Sequence, residues 1–285
     1  MSRGRLASLA MAALASIAAS LIATGLGSAG AAQSSASGVE ELQIPLNPLP
    51  FDLHGYLRRP NGTGPFPGVV LVPACGRFAD SVDQNWGETL SSWGYVALTL
   101  DIFTAHGMPG QTTCLYSANP ELAEDTYRGL NLLVARKLVD PRRVFIIGFG
   151  RGGSLAFGAV GRDGIMRNAK HKFRAAVALY PPCGDVKGVM AVPTLVIVGA
   201  RDEPTVDDCR KMAAGEDDMG ISRQPGAGAP IQLVVLPGAY AGFDLPLFQE
   251  SVEVRGLHIE YSKAATDEAK EVLRQFLQTI AGQAQ

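Results

Sequence analysis

A glycine-rich turn, Gly148-Phe149-Gly150-Arg151-Gly152, follows a buried-looking strand in the middle of the chain. Its outer glycines have the spacing of the G-x-S-x-G turn, which presents a nucleophilic serine between a strand and a helix. Such a turn needs small flanking residues because its central residue lies in a strained bend. The central residue here is Gly150, which has no side chain. The pattern predicts either a nucleophile turn without its nucleophile or a glycine-rich turn that only lets strand and helix pack closely.

Three other side chains could supply the missing chemistry. Ser154 follows the turn, but about one helical turn into the next helix, where a packing role is the simpler interpretation. His106 lies in a loop after a buried strand and could line a pocket or act as a general base, although a lone loop histidine is commonly a solvated polar residue. Cys75 follows another strand and could be a free nucleophile or part of a disulfide. No Cys or His has metal-ligand spacing, so we predict neither a metal site nor a cofactor.

Alternating strands and helices must position these residues. Apolar runs and turn signals predict strands at residues 40–45, 51–59, 68–73, 95–100, 143–147, 175–180, 194–198 and 231–236. Helical spacing predicts helices at residues 83–93, 120–139, 152–160, 207–213 and 263–280, the second of them capped by Asn119 with Pro120 at its first position. This order predicts an α/β fold, with a mostly parallel central sheet and helices on both faces. Functional residues are then expected in the loops beyond the carboxyl ends of the strands.

The chain begins with the pattern of a signal peptide over residues 1–32. Arg3 and Arg5 precede an uncharged Ala/Leu-rich run at 6–26, and small residues offer a cleavage site near Ala31 and Ala32. An uncleaved membrane anchor is the competing interpretation, because the run approaches a membrane-spanning length. We therefore expect an exported protein, periplasmic or extracellular, with no stable membrane anchor and a single domain over residues 33–285. Since the net charge of the 285-residue chain is −2, no nucleic-acid partner is expected.

Five stretches together resemble the dienelactone hydrolase family of α/β-hydrolases. They are "GVVLVPACG" (68–76), "WGYVALTLDIF" (93–103), "VDPRRVFIIGFGRGG" (139–153), "PTLVIVGARD" (193–202) and "LPGAYAGFD" (236–244). They occur in the order and spacing of the family, ahead of a closing helix, and the resemblance covers nearly all of the expected exported part. It implies the α/β-hydrolase fold and hydrolysis of an ester or lactone.

The resemblance also implies a Ser or Cys nucleophile, an Asp and a His, in that chain order. The nucleophile position falls on Gly150, and the acid position falls on Asp202, which is retained. The base position falls on Ala241, where the family normally has His. Without a histidine to orient, Asp202 could instead cap the following turn or pair with Arg151 or Arg201.

The loops around these positions are expected to line a pocket. Pro73 cannot donate a hydrogen bond, but the backbone N–H of Ala74 could form part of an oxyanion hole. Arg151 could present a cation to an anionic ligand or be an ordinary surface residue. The full predicted set of pocket residues is Ala74, Cys75, Phe103, His106, Arg151, Tyr240 and Phe243.

The chain contains four cysteines, Cys75, Cys114, Cys183 and Cys209. An even number in an exported protein predicts two disulfides, although four cysteines allow three pairings. The preferred pairing joins Cys75 to Cys114 and Cys183 to Cys209, since each pair lies in loops that follow neighbouring strands.

Three functions fit these observations. The first is a dienelactone-hydrolase-like protein that has lost triad hydrolysis and keeps a pocket for a small ester, lactone or aromatic acid, or contacts another protein. The second is an ester or lactone hydrolase with a rearranged site that uses Ser154, Cys75 or His106. The third is a structural protein of the cell envelope whose pocket has no role.

Overall fold

The computed structural model describes residues 38–108, 122–162, 164–186, 189–215 and 228–282. The predicted signal peptide, Cys114, Asn119 and Pro120 lie outside these residues. All described residues belong to one compact unit, residues 33–285. No helix within the described ranges is long and apolar enough to cross a membrane.

An eight-stranded sheet forms the centre of the fold. Its strands are β1 (Val39–Pro45), β2 (Asp52–Arg58), β3 (Phe66–Val72), β4 (Val96–Asp101), β5 (Val139–Phe149), β6 (Ala176–Leu179), β7 (Thr194–Gly199) and β8 (Ile231–Leu236). They are ordered β1-β2-β4-β3-β5-β6-β7-β8. The pairings of β1 with β2 and of β2 with β4 are antiparallel. The remaining pairings of the sheet, from β4 across to β8, are parallel. The predicted α/β fold with a mostly parallel sheet is therefore confirmed.

Helices cover both faces of this sheet. They are α1 (Ala79–Val82), α2 (Glu88–Ser92), α3 (Ile102–Ala105), α4 (Ala123–Ala135), α5 (Arg151–Val160), α6 (Thr205–Ala214) and α7 (Lys263–Gly282). Alternate residues of β3 enter two separate cores. Val70 and Val72 pack in the core that holds α4, α5 and α6, whereas Val69 and Leu71 pack in the core that holds α2 and α7. Burial on both faces explains the continuous apolar runs that predicted these strands.

Several boundaries differ from the prediction. The helix predicted at 83–93 begins earlier, at Ala79, and contains a π-helical segment, Asp83–Gly87. The helix predicted to reach residue 139 ends at Ala135, because Lys137 takes a left-handed conformation (φ 56°) and the chain then enters β5.

The prediction also missed a short hairpin formed by β9 (Val252–Val254) and β10 (Leu257–Ile259). Arg255 and Gly256 connect these strands, and both have positive φ values of 52° and 82°. This is the two-residue hairpin turn that a glycine at the second position favours. Strands of only three residues are too short for an alternating pattern to reveal.

Candidate functional site

Gly150 lies at the tip of the turn between β5 and α5, at the carboxyl edge of the parallel sheet. Its backbone has φ 50° and ψ −119°, a conformation that is strained for any residue with a side chain. The Gly150 N–H donates to the Leu179 carbonyl oxygen at 2.9 Å, and the Gly150 carbonyl oxygen accepts from the Gly153 N–H at 2.8 Å. The turn of residues 148–152, called the elbow below, is thus a tight strand-to-helix turn whose tip has no side chain.

The outer glycines of the elbow are required by packing. A Cβ atom on Gly148 would lie 2.1 Å from the Gly152 carbonyl oxygen, and one on Gly152 would lie 1.9 Å from the Val72 carbonyl oxygen. A Cβ atom on Gly150 would instead meet only the Ala74 Cβ at 3.1 Å and the Tyr180 ring at 3.6 Å. Space therefore excludes side chains from the flanks of the elbow, whereas its tip could hold a small one.

Asp202 follows β7 and is almost completely buried, with 2% of its surface exposed. Among the described residues, neither carboxylate oxygen has a hydrogen-bond partner of standard geometry. Burial raises the pKa of Asp202 from 3.8 to about 6, and the nearby Thr205 side chain offsets part of this rise. Neither predicted alternative for this carboxylate, a turn cap or an ion pair with Arg151 or Arg201, is formed. The protein thus encloses a carboxyl group with no ion-pair partner in the described ranges.

Ala241 lies in a loop that touches the Asp202 loop, since the Arg201 N–H donates to the Ala239 carbonyl oxygen at 2.9 Å. The methyl group of Ala241 is buried, with 5% of the residue exposed. Its carbonyl oxygen accepts from the Glu260 N–H at 3.2 Å, which ties this loop to the end of β10. The fold therefore brings the loops of Asp202 and Ala241 together, but no imidazole is present at residue 241.

Two polar residues beside the elbow were missed by the sequence interpretation. Tyr180 has a positive φ of 40°, and its buried hydroxyl makes no hydrogen bond of standard geometry with a described residue. Burial, together with the nearby charge of Asp244, raises the pKa of Tyr180 well above its usual range. Asp244 is fully buried, and its Oδ2 accepts from the indole N–H of Trp86 at 2.6 Å. Asp244 was within a quoted motif, but no sequence signal linked it to a tryptophan 158 positions earlier.

The predicted pocket residues have different environments. Arg151 is buried rather than on the surface, and its guanidinium carbon lies 4.7 Å from the centre of the Phe103 ring. Desolvation lowers the pKa of Arg151. Phe243 is fully buried and packs edge-to-face on the Tyr180 ring at 5.4 Å. The hydroxyl of Tyr240 accepts a hydrogen bond from Arg201 at 3.3 Å.

His106 is part of a polar pair beyond the end of α3. Its Nε2 atom lies 2.6 Å from Asp125 Oδ2 on α4, and Arg128 donates to the other oxygen of that carboxylate at 2.9 Å. His106 is thus not the solitary solvated histidine that its sequence context suggested. Ser154 lies within α5, as expected, and its hydroxyl is buried without a hydrogen-bond partner.

The cysteines are oxidised in the described part of the chain. Cys183 and Cys209 form the predicted disulfide, with their Cα atoms 5.0 Å apart. Cys75 is also disulfide-bonded, so the interpretation of this residue as a free thiol nucleophile is wrong. Within the described ranges, no three His, Cys, Asp or Glu side chains are grouped as a metal site would require.

Comparison with known proteins identifies the family. The model of the dienelactone hydrolase family matches residues 53–281. The chain belongs to the dienelactone hydrolase family. A curated relative is Lipase 1 of Moraxella sp. (strain TA144), 26% identical over 160 residues, which cover 55% of this chain and 44% of the lipase. The match therefore spans less than half the length of that relative.

Solved structures agree with this family's fold. The apo form of Thermogutta terrifontis esterase 2 is 18% identical with a TM-score of 0.62, covering 85% of this chain and 95% of the esterase. A propionate-bound structure of the same esterase is 17% identical with a TM-score of 0.60, covering 85% and 94%. A candidate dienelactone hydrolase of Klebsiella pneumoniae is 20% identical with a TM-score of 0.58, covering 84% and 98%. At these identities the likeness shows the α/β-hydrolase fold, and the family match makes this a dienelactone hydrolase or esterase-like protein.

Proposed function

We propose that this dienelactone hydrolase family member is exported and has lost triad hydrolysis, while it retains a small-molecule pocket above the elbow. The observation that carries the proposal is Gly150, which occupies the tip of an intact elbow with φ 50° and ψ −119° but has no side chain. A covalent acyl-enzyme needs a hydroxyl or thiol at that tip. The signal-peptide pattern of residues 1–32 supports export.

The environment of Asp202 agrees with a lost triad. In a working triad the carboxylate orients a histidine and stabilises its charged form. Here both oxygens of Asp202 are enclosed without a partner, and the pKa of about 6 favours the neutral acid below that pH. Loss of nucleophile and base lowers turnover by about 10⁴ to 10⁶-fold in serine hydrolases.

A free backbone donor beside the elbow supports a retained pocket. The Ala74 N–H donates to no other described residue, so it is available to a carbonyl oxygen of a ligand. Ala74 also lies directly beside Gly150. Structures of the Thermogutta esterase were obtained with propionate and butyrate. We propose that the pocket here takes a small ester, lactone or aromatic acid.

Restoring the two missing groups tests the proposal. The unaltered protein is assayed with short p-nitrophenyl esters and a dienelactone beside the double variant Gly150→Ser/Ala241→His. The matched control is Gly150→Ala/Ala241→His, which adds similar bulk but no hydroxyl. We expect turnover only in the variant with serine. Clear turnover by the unaltered protein would contradict the loss of hydrolysis.

A hydrolase with a rearranged site is the second candidate, and the His106–Asp125 pair favours it. A carboxylate 2.6 Å from a ring nitrogen can orient a histidine as a general base. If this candidate is right, the unaltered protein hydrolyses esters and His106→Gln reduces the rate at least 100-fold. Asp125→Asn should then lower kcat, whereas Arg128→Gln, which affects the same carboxylate from the other side, should leave the rate within a few-fold.

A further inference from the structure

A groove lined by cations lies at the amino-terminal edge of the sheet, opposite the elbow. It forms where the start of β5 meets the connection between α5 and β6, and its volume is about 610 Å³. This volume is in the range of small-molecule sites. The basic side chains along it are Arg142, Lys170, His171, Lys172 and Arg174. We call this feature the basic groove.

Most of these basic side chains have no ion-pair partner in the part of the chain that the structure describes. Arg142 pairs with Asp140 at 3.2 Å, but Lys170, Lys172 and Arg174 form no ion pair with any residue in the described ranges. The Nε atom of Arg174 is enclosed and has no hydrogen-bond partner among the residues that the structure describes. Residues 164–184 contain no Asp or Glu, although the whole chain has 27 acidic and 25 basic residues. The positive charge is therefore a local excess on a protein of slightly negative net charge.

The backbone of the same segment offers further donors. The N–H groups of residues 170–172 donate to no other described backbone or side-chain group. Consecutive unpaired N–H groups beside cationic side chains favour anionic oxygen atoms. The groove thus combines side-chain charge with backbone donors.

The base of the basic groove is apolar. Met166, Phe173 and Val192 line it and are at most 8% exposed, so they form part of the protein core at its base. The exposed apolar residue of the groove is Pro141, and a small inorganic anion would leave it in contact with water. A ligand with both an anionic group and an apolar body would cover it, which is favourable in proportion to the apolar area removed from water.

We propose that the basic groove binds a small amphiphilic anion, with a carboxylate, sulfonate or phosphate group against Lys170, Lys172 and Arg174 and an apolar body against Pro141. The site is separate from the elbow. Residues 142 and 150 lie at opposite ends of β5, and at about 3.3 Å per residue they are roughly 26 Å apart. A ligand of the basic groove and a ligand of the elbow can therefore be bound together.

Titration calorimetry with octyl phosphate, below its micelle concentration, tests this site on the full chain. Inorganic phosphate and the neutral octyl glucoside are the comparison ligands. The test variant is Lys170→Glu/Lys172→Glu. The control variant is Arg210→Glu/Lys263→Glu, which makes the same charge change on exposed positions of α6 and α7.

We expect octyl phosphate to bind at one site, at least tenfold more tightly than either comparison ligand. The Lys170/Lys172 variant should bind it at least tenfold more weakly, while the control variant stays within twofold. Thermal unfolding of both variants checks that they are folded, and Lys170→Gln/Lys172→Gln is used if the reversed charges prevent folding.

Four results would overturn the proposal. These are no saturable binding, equal affinity for inorganic phosphate, equal weakening in the control variant, and binding only to vesicles of anionic phospholipid. The last result would assign the groove to a membrane surface instead of a soluble ligand.

Discussion

Replacing Gly150 or Gly152 of the elbow by alanine shows which of these two glycines is required by packing and which position could hold a small side chain. Alanine at Gly152 should prevent folding or cost more than about 4 kcal/mol, whereas alanine at Gly150 should cost about 2 kcal/mol. Both substitutions add one methyl group to the same turn. They differ because the methyl group at Gly152 would overlap backbone atoms, whereas the one at Gly150 mainly strains a backbone of positive φ.

The magnitudes follow from the geometry. At Gly152 the added Cβ lies 1.9 Å from the Val72 carbonyl oxygen and 2.6 Å from that of Pro73. The shorter distance is about 1.5 Å below ordinary contact, and both obstacles are backbone atoms, so no side-chain rotation relieves the overlap. At Gly150 the cost is mainly the positive φ of 50°, which amounts to about 1–3 kcal/mol for a residue with a side chain. The Ala74 methyl group at 3.1 Å adds a small repulsion.

Denaturant unfolding followed by tryptophan fluorescence measures both variants, because Trp86 is fully buried. The free energy of unfolding of the Gly150→Ala protein should fall by about 2 kcal/mol with an unchanged denaturant slope. Comparable losses for Gly150→Ala and Gly152→Ala would show that the elbow adjusts its backbone freely. In that case the packing argument for its outer glycines would be refuted.

Three further predictions concern buried polar groups and the disulfide. Burial raises the pKa of Asp202 to about 6, so its charge destabilises the folded protein as pH rises from about 4 to 6. Across that range the Asp202→Asn protein should therefore become more stable than the unaltered protein, by up to roughly 3 kcal/mol. Unfolding at pH 4 and at pH 7.5 measures this difference in stability. An equal difference at the two pH values would contradict this. Trp86→Phe removes the indole donor 2.6 Å from buried Asp244 and should cost about 3 kcal/mol, measured by denaturant unfolding followed by circular dichroism because the Trp86 reporter is lost; a loss below about 1 kcal/mol would show that the bond is dispensable. Replacing Cys183 and Cys209 by alanine opens a link of 26 residues and should cost about 3.5 kcal/mol, which a thermal shift of several degrees would report.

Much of the fold could be predicted from local patterns. The apolar runs of β3, β4 and β7 identified central strands because each is buried on both faces. Helix ends were less accurate, since the end of α4 depends on the left-handed conformation of Lys137 and not on a Gly or Pro signal. The β9–β10 hairpin was missed because its strands are too short to show a pattern.

Some features of the candidate site could likewise be predicted from the sequence, whereas others depended on the tertiary structure. The spacing of residues 148–152 predicted a tight turn between a strand and a helix, because strand, turn and helix are contiguous in the chain and their conformation is local. Tertiary structure alone decided that Arg151 is buried against Phe103 and that His106 contacts Asp125. It also decided that Asp202 is enclosed without a partner. These outcomes depend on how separate helices and loops pack across the sheet, and a pair of residues brought together in that way leaves no periodic signal in a single sequence.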